Sequence, residues 1–411
     1  MSITMALLLV ALSAAAVAAS SKDRSNTLDR YNGPLRFSQD GTFQISVMQD
    51  LHFGESMNSW ELWGPAQDAK TLEVMNTVLD TNPPNLVVFN GDLVTGENLF
   101  FENSTHYVDV MVAPLIERNL TWASTYGNHD YQFNVSGQGI FEREKRFSNS
   151  RTRRMVADDN AGATNYYLPV YAEDCHHCDC VPELLLWFFD SRGGFKVQER
   201  QANGADVSHP NWVDSSVVEW FRTSHARIAQ RFGKTIPSLG FVHIPTQASQ
   251  ALQLSGVHPN HQPGINYDTP LSQQAQGWCP DGKPNAKCRY GGQDAPFMEA
   301  IASTPGMIAL FSGHDHGNTW CYKWDKAVSG VDIEGNGVNL CFGQHTGYGG
   351  YGSWIRGARQ VLVTREGLKH FEVETWNLLE DGRATGSVAL NATYGLDSYP
   401  KVSDEHTSCN C

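Results

Sequence analysis

Leu86-Val87-Val88-Phe89-Asn90 runs directly into Gly91-Asp92, and this junction decides how the rest of the chain is read. An unbroken apolar run of this length reads as a strand buried on both faces, and the glycine after it turns a carboxylate out at the strand end. The same construction recurs four times. Residues 42–49 lead into Asp50-Leu51-His52, and residues 122–126 into Gly127-Asn128-His129-Asp130. Residues 239–242 lead into His243-Ile244-Pro245, and residues 307–311 into Gly313-His314-Asp315-His316. Carboxyl ends of strands converge at one edge of a sheet, so ligands far apart in sequence can meet there.

The residue types in these blocks suit two metal ions. Asp50 and His52 are two apart, so at a strand end their side chains point the same way and can grip one cation. His314 and His316 repeat that spacing, with Gly313 allowing close backbone approach. Asp92 has two oxygens and can bridge cations about 3.5 Å apart, the separation of two-metal hydrolases. Asn128 adds a neutral oxygen and His243 a further imidazole. Three or four protein ligands per ion leave room for water and a phosphate oxygen, with a bridging hydroxide as nucleophile. His129 sits beside a ligand and either protonates the leaving oxygen or stabilises charge in the transition state. Mixed nitrogen and oxygen ligation without thiolate admits Fe, Mn or Zn. Singly, each block is weak: a lone strand-end histidine is usually an ordinary residue, and Asn-His-Asp is a good turn. Five in this order, each behind an apolar strand, outweigh that bland reading.

Between the blocks the spacing predicts helices over 66–80, 106–118, 214–232 and 295–302, and a fully apolar strand over 184–189. This is an α/β pattern with its site beyond the strand ends. Segments 338–342, 358–364 and 370–375 read as sequential strands of a second sheet. Residues 252–293, rich in Pro, Gly, Gln and Asn, read as a long loop. We find no internal repeat and no linker, so residues 42–380 are expected to form one domain, with 381–411 a peripheral tail.

The net charge of −14 argues against nucleic acid or an anionic membrane as the main partner. Residues 1–19 resemble a secretory signal ending at Ala16-Val17-Ala18, followed by a polar leader over 20–41, which leaves no membrane span after cleavage. Sequons at Asn103, Asn119, Asn134 and Asn391 and nine cysteines also point to an exported, disulfide-bonded glycoprotein. Cys279–Cys288 and Cys321–Cys341 are expected as local staples. Cys175-His176-His177-Cys178-Asp179-Cys180 reads as disulfides, with a zinc knot as the alternative.

The five blocks together resemble the calcineurin-like metallophosphoesterase superfamily, whose motifs are D-x-H, GD, GNH-D/E, an isolated His and GH-x-H. The match runs from about residue 42 to 375. The resemblance implies a four-layer α/β sandwich, two mixed sheets flanked by helices. It also implies that Asp50, His52, Asp92 and His316 hold one metal, that Asp92, Asn128, His243 and His314 hold the other, and that His129 is the proton donor. The blocks around Phe241–Pro245, Gly313–Asn318 and Gly343–Trp354 are similar to fungal and plant phosphatases related to the purple acid phosphatases. True purple enzymes bind iron through a tyrosinate three residues after the bridging Asp, where this chain has Thr95. Leu93–Glu97 also lacks the arginine of the protein Ser/Thr phosphatases.

Beyond the ligands, His345, Tyr348, Tyr351 and Arg356 are placed by the resemblance on a substrate-facing loop, His345 being the candidate contact. Asp130 and Asp315 either orient imidazoles or form turns. Asp190 reads as a structural cap, and Trp60 and Trp63 as packing or a pocket rim. The expected activity is hydrolysis of small phosphate monoesters by a secreted enzyme. The alternatives are a phosphodiesterase of nucleotides or lipid headgroups on the same metals, and, remotely, a non-catalytic binding module.

Overall fold

The computed structural model describes residues 33–55, 64–175, 179–268, 272–327 and 330–407. These residues form β1 (Leu35–Arg36), β2 (Thr42–Met48), β3 (Leu86–Asn90), β4 (Trp122–Thr125), β5 (Tyr166–Tyr171), β6 (Leu184–Phe189), β7 (Phe195–Arg200), β8 (Asp206–Ser208), β9 (Ser238–Val242), β10 (Met307–Ser312), β11 (Cys321–Trp324), β12 (Val338–Phe342), β13 (Gly357–Thr364), β14 (Val373–Leu379) and β15 (Ala384–Leu390). Helices are α1 (Gly64–Thr81), α2 (His106–Glu117), α3 (Gly137–Glu144), α4 (Ser215–Phe232), α5 (Gln247–Ser255), α6 (Ala295–Ser303) and α7 (Arg365–Leu368).

Two mixed sheets carry the fold. One has the order β15-β14-β13-β2-β3-β4 and the other β1-β5-β6-β9-β10-β12-β11. Within them β2, β3 and β4 are parallel, as are β6, β9, β10 and β12. Every ligand block therefore follows the carboxyl end of a parallel strand.

Period-two alternation builds the layers. In β6, Leu184, Leu186 and Phe188 join a core shared with Ile45 and Val47 of β2 and Val361 of β13, between the sheets. Leu185, Trp187 and Phe189 face the other way, against Phe221 of α4 and Phe297 of α6. Val74 and Val78 of α1 and Met111 and Leu115 of α2 cover the six-stranded sheet. The result is helix, sheet, sheet, helix. The ends of α4 follow local rules, since Asp214 accepts from Ser216 N (3.0 Å) and Gly233 takes φ 64° beyond the last turn.

Three expectations need correction. Val338–Phe342 does not join the second sheet with β13 and β14 but pairs in parallel with β10. The chain crosses between the sheets in residues 343–356, which periodicity cannot reveal. Residues 381–411 are not wholly peripheral: β15 pairs with β14, and Val388 and Leu390 are buried between the sheets. Nor is the leader free to residue 41, because β1 pairs with β5.

Disulfides join Cys279 to Cys288, Cys321 to Cys341 across the β11–β12 pair, and Cys175 to Cys180, so Cys175 and Cys180 bond to each other rather than to zinc. Cys178, Cys409, Cys411, Trp60, Trp63 and the signal segment lie outside the described residues. No helix among the described residues is long and apolar enough to cross a membrane.

Candidate metal centre

The loops after β2, β3, β9 and β10 are laced together before any side chain is considered. Asp50 N donates to Gly91 O and His52 N to Asp92 O, each at 3.0 Å, and Gly313 N donates to His243 O at 3.0 Å. Four candidate ligands sit in left-handed backbone: Asp50 (φ 52°), His52 (50°), Asp92 (50°) and His314 (74°). Such conformations are costly for non-glycine residues and gather where surrounding structure over-determines them. Gly91 and Gly127 have no substitute here, because a methyl group would strike the His243 ring at the first and Asp92 Oδ1 at the second.

The side chains fall into two groups. Asp50, His52 and His316 bring one ligand atom each within 4.8 Å of one another, and Asp92, His243 and His314 do the same. Asp92 links them: its Oδ2 lies 2.8 Å from His243 Nε2 and 3.9 Å from His52 Nε2. Asn128 and His314 line one cleft, and the Asn128 Oδ1 is buried with no hydrogen-bond partner.

The donor set fits cations on its own chemistry. His316 Nδ1 is 2.7 Å from Tyr351 O and His243 Nδ1 2.8 Å from Asn90 O. A carbonyl only accepts, so both Nδ1 atoms carry hydrogen and, in the neutral rings, both Nε2 atoms are lone pairs. His52 Nδ1 contacts Thr95 Oγ1 at 3.2 Å, which leaves its Nε2 only 3.3 Å from that of His316. The lone pair of His316 Nε2, 3.6 Å from Asp50 Oδ1, and the buried, unpartnered Asp50 Oδ2 are donors that a cation would satisfy.

The electrostatics agree. Burial works to raise the Asp92 carboxyl, but His243 and His129 hold it well below the usual carboxylate range. Burial alone would lower His243, yet Asp92 lifts it to about 9. Burial, reinforced by His243, takes His314 down to about 4. His52 falls well below its usual value through burial and the neighbouring His129. The site thus keeps Asp50 and Asp92 ionised and His52 and His314 neutral, the forms that bind metal, while His243 would release a proton on binding one.

His129 stands at the rim, with 30% of its side chain exposed. Its backbone N–H donates to Asp92 Oδ1 (2.8 Å), and its Nδ1 lies 2.8 Å from the Glu97 carboxylate. Burial lowers its basicity, but Asp92 and Glu97 outweigh that and raise it to about 10.

Other expected residues take different places. His345 is fully buried, as Asp50 and His243 are, with its ring 3.9 Å from that of His316. Tyr351 stacks on His316 at 4.0 Å, binds Asp268 through its hydroxyl and is 45% exposed. Arg356 braces the glycine-rich loop through Trp354 O (2.6 Å) and Gly352 O (2.7 Å). Tyr348 bonds Glu380 (2.5 Å) and Thr407 (2.6 Å). Asp130 orients no imidazole; it accepts from Leu93 N (2.9 Å), Val94 N (3.2 Å) and Gly127 N (2.8 Å), clamping two motif loops together. Asp315 accepts from Gln273 Nε2 at 2.9 Å. Asp190 accepts from Tyr131 OH (2.5 Å) and Ala163 N (2.8 Å), a structural knot.

Sequence reading missed Thr95, Glu97 and Glu55. The Thr95 hydroxyl donates to Glu55 Oε2 at 3.2 Å while meeting His52, so the pair steers that imidazole. The available signal was a hydroxyl and an acid three and five residues after Asp92. Among the sequons, Asn103 and Asn119 are exposed and Asn391 half-buried, while Asn134 Nδ2 is committed to Leu99 O at 2.8 Å.

Residues 44–318 match the family model for calcineurin-like phosphoesterases. Among curated proteins, probable inactive purple acid phosphatase 28 of Arabidopsis thaliana is 27% identical, covering 85% of this chain and 83% of its own length. Phosphatase DCR2 of Saccharomyces cerevisiae is 26% identical over 75% of this chain and 49% of its own. A dimetal phosphatase from Danio rerio shares the fold with TM-score 0.51 at 11% identity, covering 85% of this chain and 98% of its own. Together with the strand-end blocks and their geometry, the family match leads to one conclusion: the chain belongs to the calcineurin-like phosphoesterase family.

Proposed function

We propose that this chain is an exported phosphatase that hydrolyses phosphate monoesters at a dimetal centre. One observation carries the reading: the groups Asp50, His52, His316 and Asp92, His243, His314 meet on Asp92, and the unpartnered Asn128 lines a cleft with His314. Asp50, His52, Asp92 and His316 would hold one ion, and Asp92, Asn128, His243 and His314 the other. Bound there, the pair supplies Lewis-acid charge for a phosphate oxygen and an activated water.

The chain's own residues do the rest. Thr95, Asn90 and the Tyr351 carbonyl fix the orientation of three imidazoles. His129 donates a proton to the leaving oxygen, and Glu97 keeps it protonated for that task. Three disulfides and the absence of a membrane-crossing helix among the described residues support export, with residues 1–19 as the cleaved signal.

The test is turnover of phenyl phosphate against diphenyl phosphate by purified protein supplied with Fe, Mn or Zn. Faster monoester cleavage, abolished in Asp92→Asn, is the expected result. Strong diester preference would convert the reading to a phosphodiesterase. A protein that binds metal but turns over neither compound would be a non-catalytic module.

A further inference from the structure

A cleft of about 720 Å³ opens beside Asn128 and His314. Its far wall is the loop closed by Cys279–Cys288, and the residue after that staple, Arg289, lines the same cleft. The remaining walls hold glycine, apolar and uncharged polar groups such as Asn211, Ser272 and Gln276, and no carboxylate lines it. Arg118, Arg143, Arg154, Arg192, Arg222, Arg365 and Arg383 are each ion-paired. Arg289 is exposed, and its guanidinium makes no hydrogen bond or ion pair among the described residues.

The backbone around Arg289 is held, although its side chain is not. Gly277 N donates to Arg289 O, Asn285 N to Gly277 O (2.8 Å) and Cys279 N to Lys283 O (2.9 Å). Gln274 Nε2 ties the approach of the loop to Ile244 O (2.8 Å), next to His243. The disulfide thus fixes the base of a cation that lines the same cleft as Asn128 and His314.

We propose that this cleft receives the alcohol side of the substrate, and that Arg289 selects phosphate monoesters whose leaving group carries a second anion, carboxylate or phosphate. The inference rests on the phosphatase reading and narrows its substrate class. A planar guanidinium with five donors matches either anion bidentately, and the missing local acid leaves it free to do so. The carboxamide and hydroxyl walls suit a polar leaving group rather than a greasy one.

Two measurements decide it. The first compares kcat/KM for phenyl phosphate, 4-carboxyphenyl phosphate and benzene-1,4-bis(phosphate). Wild type is expected to prefer the two dianionic-plus-anion probes, and Arg289→Gln to reduce that preference about tenfold. The paired variant Cys279→Ser/Cys288→Ser should reduce it in the same direction. The relative rates of the two anionic probes show whether carboxylate or phosphate is the natural group. The second measurement is calorimetric binding of benzylphosphonate and 4-(phosphonomethyl)benzoate to metal-loaded protein. The carboxylated phosphonate should bind about tenfold tighter to wild type and equally to Arg289→Gln. No preference in wild type, or a preference kept in Arg289→Gln, overturns the inference. Loss of all turnover with the binding preference intact would instead sink the phosphatase reading and spare the subsite.

Discussion

Asp92 Oδ2 stands 2.8 Å from His243 Nε2 in a buried site where the other nitrogen of His243 already serves Asn90 O. The same carboxylate reaches toward His52 and accepts from His129 N, so one residue touches both donor groups and the candidate acid. Replacing it removes the shared charge. Asp92→Asn should therefore lower bound metal from two ions per chain to fewer than one, measured by elemental analysis. Phosphatase turnover should fall by roughly a thousandfold, in line with the several kcal/mol that metal charge supplies. Retention of both ions with full turnover would refute the bridging role.

His129 needs its proton to act as an acid. Its raised basicity comes from Asp92 and Glu97 overcoming burial, so the protonated form persists as pH rises toward the upper value of about 10. Bound cations neutralise Asp92 and leave Glu97 as the main support. Glu97→Gln keeps a hydrogen-bond partner but deletes the charge, so deprotonation begins at lower pH. The alkaline limb of the kcat profile should move down by about one pH unit or less, because the pair is partly solvent-screened. An unmoved limb would assign the proton to another group.

Thr95 occupies the position at which the resemblance to purple enzymes fails, and it has its own task there. Its hydroxyl sits between His52 Nδ1 (3.2 Å) and the Glu55 carboxylate (3.2 Å). Thr95→Val preserves shape and removes that relay. Losing such an outer partner typically costs about 10- to 100-fold in metal affinity. We expect one of the two ions to weaken by that amount in a chelator competition titration; unchanged affinity for both would show that packing alone orients His52.

The ligands were legible because their placement is local. A parallel strand buried on both faces leaves a continuous apolar run, such as Leu184–Phe189, and the block after it must lie at the carboxyl edge. What pairs with what was less legible. Val338–Phe342 looks like a neighbour of the strands after it, yet a glycine-rich crossing puts it beside β10. Ala384–Leu390 buries only Val388 and Leu390 at a sheet edge, too few apolar positions to announce a strand. Arg289 lines one cleft with His314 only because a stapled loop without periodicity happens to lead there. Long-range register of this kind is set by packing rather than by any short stretch of residues.

Asp294, remote from the metal ligands, gives the molecule a pH signature of its own. It is fully buried, accepts from Gln247 N (2.8 Å) and meets Tyr290 OH at 2.6 Å. Burial raises its carboxyl to about 6. The folded protein therefore binds a proton here that the unfolded chain, at an ordinary carboxylate value of 3.8, releases earlier. The stabilisation is present in full below 3.8 and is lost as pH rises through about 6, a change on the order of 3 kcal/mol. Asn reproduces the protonated form, since its oxygen can accept from Gln247 N while its NH2 donates to the tyrosine oxygen. Asp294→Asn should thus exceed wild type in Tm at pH 7, with the difference shrinking on acidification and vanishing below about pH 4. Thermal melts of both proteins across that range decide it: a difference that does not change with pH would mean that the Asp294 carboxyl titrates alike in the folded and unfolded chain.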